Sequence, residues 1–249
     1  MVLAPVVAWG TPGISDTSVK VTGTGSTNHD TDADITTCST GCTIEAFALI
    51  SADETNSCGT IAHITSGTLD PAGVNEALTC RHVRERGAGW SIAHYSRKAP
   101  SAVSNKLVRF VTDAGRAVTI IVYVLSAVDQ TTTYRTTVSS TDGGVESITN
   151  TSNASSGDLL LSAVYVSSTN TVTDLTPTSG LTEDFDVDPT APGPTSQRGE
   201  SSHRTASGSD SCGATWTGQG NSGAVNVCVA VISESTATSP FPQIVRRRR

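Results

Sequence analysis

Between Ala117 and Ser126 the chain reads AVTIIVYVLS, and 107 positions later, from Ala224 to Ser233, it reads AVNVCVAVIS. In the first stretch both alternating sets of side chains are apolar: Val118, Ile120, Val122 and Val124 on one side, Ile121, Tyr123 and Leu125 on the other. Residues two apart share a face of a strand, so such an element has no side to turn to water. Burying each of these side chains contributes roughly 1.5 to 3 kcal/mol. The pattern therefore predicts two central strands, each covered on one face by a second sheet and on the other by loops or a neighbouring subunit. Val122, Val124, Val229 and Val231 are the residues expected at their centre. By contrast KLVRFVT alternates, with Leu107 and Arg109 out of phase with Val108 and Phe110, and predicts an ordinary half-buried strand.

Extending the comparison backwards gives the same order of parts twice. The first half offers strands at CTIEAFALIS, GTIAHITSG, GWSIAHYSRKA, NKLVRFVT and AVTIIVYVLS; the second at GDLLLSAVYVSS, NTVTDLTPTSGLTEDFD, RGESSHRTAS, GATWTG and AVNVCVAVISE. His94 precedes the last strand of its half by nearly the distance that His203 precedes its own, and Phe110 stands where Trp216 does. An internal repeat of this kind is a fold-level signal. The predicted fold is an all-β, jelly-roll-like antiparallel sandwich of two pseudo-repeated halves, about 13–130 and 157–234, joined by 131–156. Residues 1–12 and 235–249, with their prolines and absence of periodicity, are expected as extended terminal arms. The segment from Asp188 to Ser202, with three prolines and two glycines, is expected as a surface loop. Phe110, Trp216 and Trp90 are expected in the core.

Composition agrees with this and narrows the function. Only 16% of the 249 residues are charged and 4% aromatic, while Ser, Thr and Gly abound, a balance suited to short strands and polar turns. A net charge of −7 argues against a surface made for nucleic acid or for an anionic membrane. No apolar run reaches the length needed to span a bilayer, and the opening MVLAPVVAWG lacks a basic segment, so the expectation is a soluble protein made without an export signal. Of the six cysteines, Cys38 and Cys42 form a C-x3-C, and Cys212 and Cys228 flank a predicted turn at GQGNSG. Buried thiols or structural disulfides are expected, not a metal centre, because neither Cys58 nor Cys80 supplies the second close-spaced pair that zinc would want.

Gly157 to Leu161, then Pro177, Gly180 and Thr182, then Ala214 to Thr217, then Ala224 to Ile232 form a pattern. It resembles one found in bacteriophage virion proteins and in some bacterial surface proteins: a GDLLL-type strand, a P-x-x-G-W-T turn, an A-T-W-T segment and a closing small-and-apolar strand. The likeness spans about 157–234. It departs at Leu181, where the pattern has Trp, and in the first half, where Gly41 to Glu45 replace the GDLLL strand. The resemblance implies a jelly-roll-like sandwich, often trimeric and displayed on a particle. It speaks for architecture more than for activity.

Two aspartate triplets, Asp30, Asp32 and Asp34 and Asp184, Asp186 and Asp188, are the candidate cation ligands, since oxygen ligands two apart can curl around calcium. Neither carries the glycine and bidentate Glu of an EF-hand loop. No nucleophile elbow, zinc-protease motif or phosphate loop is present. The five histidines are scattered, and each is expected to be structural or exposed. The final Arg246, Arg247, Arg248 and Arg249 are expected to dock an otherwise acidic domain onto a protein partner, a solvated tail being the alternative. The expected function is thus non-enzymatic: a structural protein of a phage virion, a decoration or cement protein on the capsid surface, homotrimeric, contacting the major capsid protein or another virion protein. The rivals are a receptor- or carbohydrate-binding tail module, a polysaccharide depolymerase, and an exported bacterial surface protein.

Overall fold

The doubly apolar stretches become central strands because only a ladder on both edges and a sheet on both faces satisfies them. The computed structural model describes residues 8–9, 12–22, 25–32, 34–37, 42–52, 54–86, 89–143, 146–168, 171–172, 174–178, 180–187, 196–218, 223–232 and 235–236. Its strands are β1 (Ala8–Trp9), β2 (Gly13–Thr22), β3 (Asn28–Asp30), β4 (Thr43–Ile50), β5 (Ile64–Leu69), β6 (Glu76–Ala77), β7 (Thr79–Glu85), β8 (Ser91–Lys98), β9 (Val108–Thr112) and β10 (Val118–Ser126). They continue as β11 (Tyr134–Gly143), β12 (Ser147–Thr151), β13 (Leu159–Ser168), β14 (Thr176–Pro177), β15 (Thr182–Val187), β16 (Ser196–Thr205), β17 (Ser211–Thr215), β18 (Gly223–Val231) and β19 (Ser235–Thr236). The protein is all-β, and every strand pairing is antiparallel.

Two five-stranded sheets, β2-β10-β4-β8-β7 and β11-β18-β13-β16-β15, lie back to back, and each carries a smaller sheet on its far side, β3-β9-β5-β6 and β12-β17-β14. Numbering the strands within each half and setting aside the two-residue β6, both large sheets run first, eighth, third, sixth, fifth, and both small ones second, seventh, fourth. Side chains alternate between layers. Ile120, Val122 and Val124 join Ile44, Ala46, Val108 and Phe110 in the core of the first half. Ile121, Tyr123 and Leu125 meet Leu161, Ala163, Val227, Val229 and Val231 in the seam between the large sheets. Beyond the second large sheet, Val164 and Val166 pack on Ala214 and Trp216, and Leu160 and Ala230 pack around Cys212 and Cys228.

Four expectations are corrected. The second face of β10 and β18 is covered by the other half of the same chain, not by loops or a neighbouring subunit. The offset of 107 that aligns the sequences is out of phase with the structure: Val122 and Val124 face the core of their own half, whereas Val229 and Val231 face the seam. A slip of one residue exchanges the faces of a strand, so only an even offset matches the layers. Residues 131–156 are not a connection, since they contain β11, which pairs with β18, and β12, which pairs with β17. The expected loop 188–202 also fails in its second part, where Ser196 to Ser202 belong to β16 and Glu200, Ser201 and Ser202 are buried. Of the two terminal arms, Ala8–Trp9 and Ser235–Thr236 pair with each other; most of their other residues lie outside the described residues. Phe110 and Trp216 are core residues as expected, and Trp90 packs partly buried at the seam under Arg86.

Candidate functional site

The seam joins the halves with more than oil. On β4 the odd positions Glu45, Phe47 and Leu49 face the other half, which places a carboxyl group in an apolar layer. Two donors converge on it. His94, on neighbouring β8, sets Nε2 2.7 Å from Glu45 Oε2, and Tyr134, from β11 of the second half, donates its hydroxyl to both oxygens at 2.9 and 3.1 Å. The Phe47 ring stacks on His94 at 4.9 Å, and Arg81 stands over the Tyr134 ring. Glu45 and His94 are both inaccessible to water. Burial pushes the Glu45 carboxyl up from its ordinary range, opposed by His94, Tyr134 and Arg81. Burial likewise raises the Tyr134 hydroxyl, with the Glu45 charge adding to it.

A second cluster has the reverse ownership. Asp184, at an irregularity in β15, accepts from Tyr123 of the first half at 2.8 Å and lies 2.8 and 2.9 Å from Nδ1 of His203 on β16. In each cluster a tyrosine of one half reaches a carboxylate of the other, and that carboxylate pairs with a histidine of its own half. His94 and His203 sit on corresponding strands, the sixth of each half, whereas Glu45 and Asp184 sit on the third and the fifth. Two further bridges cross the seam: His82 Nε2 to Ser139 Oγ at 2.8 Å, and Ser51 Oγ to Tyr165 Oη at 2.9 Å and to Gln197 Oε1 at 3.0 Å. Chemically these are clasps. Each carboxylate is engaged by a partner from across the interface, which fixes how the two sheets register on one another.

The sequence-derived candidates disperse. Asp30 accepts from Nε and Nη2 of Arg109 at 2.5 and 2.6 Å, and Asp32 pairs with Lys20 at 2.9 Å, so two members of the first triplet are spent in separate ion pairs. Asp34 donates its backbone N–H to Asp32. In the second triplet Asp184 turns to the seam, and Asp186 turns the other way, across from Glu200. Asp188 and Arg246, Arg247, Arg248 and Arg249 lie outside the described residues. Among the described residues no group of three or more His, Cys, Asp or Glu side chains is arranged to hold a metal.

The cysteines are staples. Cys212 and Cys228 are bonded to each other with Cα atoms 6.4 Å apart, tying β17 in the small sheet to β18 in the large one. Cys58 and Cys80 are bonded at 5.6 Å, tying a 3₁₀ turn (Cys58–Thr60) to edge strand β7; a separation of 22 residues gave no sign of this pairing in the sequence. Cys42 is disulfide-bonded as well. Beside Cys58 and Cys80 an open cavity of about 470 Å³ is lined by Tyr95, Thr65, Ser66, Thr68 and Leu78. Nothing in the sequence groups Glu45, Asp184 and the two tyrosines, although a lone Glu within the apolar run TIEAFALI is a visible signal for a buried partner. No known protein family, curated protein or solved structure matches the chain.

Proposed function

We propose that the protein is a structural component of a phage virion, a decoration protein on the outside of the capsid, built from two jelly-roll-like units that arose by duplication and now pack back to back. The observation that carries this reading is the seam: two large sheets clasped through apolar packing and reciprocal tyrosine–carboxylate contacts, with a disulfide across the outer layer of the second half. Such a body is rigid and suited to bear load between neighbours. Its disulfides suit an oxidising setting such as a virion or cell surface. The corresponding strand orders of the halves support duplication, and the resemblance of 157–234 to virion proteins supports the setting. The trimer now has the resemblance alone behind it, because the apolar faces that a trimer was to cover are covered within the chain.

The test is co-sedimentation of the full chain, and of a variant lacking Ile244–Arg249, with purified capsids made without it. Binding at stoichiometric occupancy, weakened by the deletion, is expected with the major capsid protein or another virion protein as partner; a chain that never associates with particles overturns the proposal. A second reading, a carbohydrate-binding tail module, draws on the cavity beside Tyr95 with its threonine and serine hydroxyls. Retention on a glycan array that is lost in T65V/T68V would favour it.

A further inference from the structure

Acidic side chains gather where β15 meets β16, on the face turned toward the small sheet. In the ladder Asp186 lies directly across from Glu200, and Glu183 across from Ser202. Arg198 reaches Asp174 at 3.1 Å and Asp186 at 3.7 Å. A surface cluster of that kind is ordinary, but what lies beneath it is not. Glu200 has no exposed surface, neither of its carboxylate oxygens makes a well-formed hydrogen bond, and burial pushes its carboxyl up to about 8 against the weaker opposing pull of the Ser202 hydroxyl. Ser202, two residues along on the same face and equally buried, neighbours Glu200 but makes no well-formed hydrogen bond, and neither does Oδ1 of Asp186.

Other buried carboxylates of this molecule are answered. Glu45 has His94 and Tyr134, Glu54 accepts the backbone N–H groups of Ala62, His63 and Ile64, and Asp158 is paired with Arg135. A carboxyl group withdrawn from water with neither donor nor counter-charge is among the costliest things a fold can contain. Here such a group lies beside two further oxygen-bearing side chains, Asp186 across the ladder and Ser202 on its own strand, and the Arg198 guanidinium on that face is already shared between Asp174 and Asp186.

We propose that Glu200, Asp186 and the Ser202 hydroxyl bind a hard divalent cation, calcium or magnesium. An all-oxygen set suits these ions and not zinc or copper. Two carboxylates with one hydroxyl leave the remaining positions to water, which both ions accept. Asp186 also accepts the backbone N–H of Leu175 through its other oxygen at 3.2 Å, so the ion would tie the segment around β14 to the large sheet. This site shares only Asp186 with the aspartate triplets read from the sequence, and it does not depend on where the protein is displayed.

The experiment uses the full chain stripped with EDTA, then supplied with millimolar calcium chloride or magnesium chloride, with terbium luminescence excited through tryptophan as a direct readout. At least one ion is expected to raise the melting temperature by about 5 °C and to displace terbium; E200Q and D186N should abolish both effects, and D32N should leave both intact. Should E200Q fail to fold, D186N, whose carboxylate is partly exposed, decides alone. Identical melting in EDTA, calcium and magnesium without a terbium signal overturns the proposal, as does a response undiminished in D186N.

Discussion

His29 is buried between β2 and β9, with Nδ1 2.5 Å from Thr22 Oγ1 and Nε2 3.0 Å from Thr112 Oγ1. Burial holds its imidazole below the ordinary value, against the opposing pull of Asp30. His82 is lowered too, by burial first and then by His94 and Arg84. As pH falls below about 6.5 the unfolded chain takes up these protons before the folded one does, so the two contributions are complete above that value and are lost toward the lower folded values. Glu45, raised by burial, acts with the opposite sign at acid pH. The informative quantity is therefore a difference. Urea unfolding at pH 7.5, 6.5, 5.5 and 4.5 should show H29Q gaining on the wild type as pH drops, with a slope no steeper than about 1.4 kcal/mol per pH unit. A constant gap across the series would refute the assignment. None of this was visible in the sequence, where His29 stands beside a polar aspartate run; burial of a histidine depends on which strand passes over it.

At the scale of the strand, legibility followed apolarity. Segments apolar on both faces, β4, β10, β13 and β18, could be read from the sequence because nothing else would bury them. Strands β2, β11 and β12 could not, because they are built of Thr and Ser with an occasional Val or Ile and their short side chains are indistinguishable from loop chemistry. Hence residues 131–156 read as a linker. The register slip has a related cause, since a strand apolar on both sides carries no phase by which to align it. The clasps belong to this scale as well. Removing one hydroxyl with Y134F leaves the fully buried Glu45 with His94 alone, and should cost on the order of 1–3 kcal/mol in chemical unfolding. Y123F should cost less, because His203 and its carboxylate partner retain some exposure. Equal and negligible losses would show that the seam is held by packing alone. Gly199 leaves room there for Leu49 of the other half, whose side chain would have to shift to admit a β-carbon at that position, 2.7 Å away.

For the whole molecule the seam makes each half dependent on the other. A chain comprising only 13–130 would expose Phe47, Leu49, Ile92, Ile121 and Leu125 to water. Such a fragment should aggregate or self-associate on size exclusion, and co-expression with 131–236 should restore a soluble heterodimer; a well-behaved monomer of either fragment would refute the dependence. The pairing of Ala8–Trp9 with Ser235–Thr236 has a mechanical corollary. The two strands bring the outward ends of the chain to one spot, so a body tethered through both would hang from a single point like a pendant. Tension drawn between the two departures would peel that short ladder open rung by rung, and would reach the four stacked sheets only after it had let go.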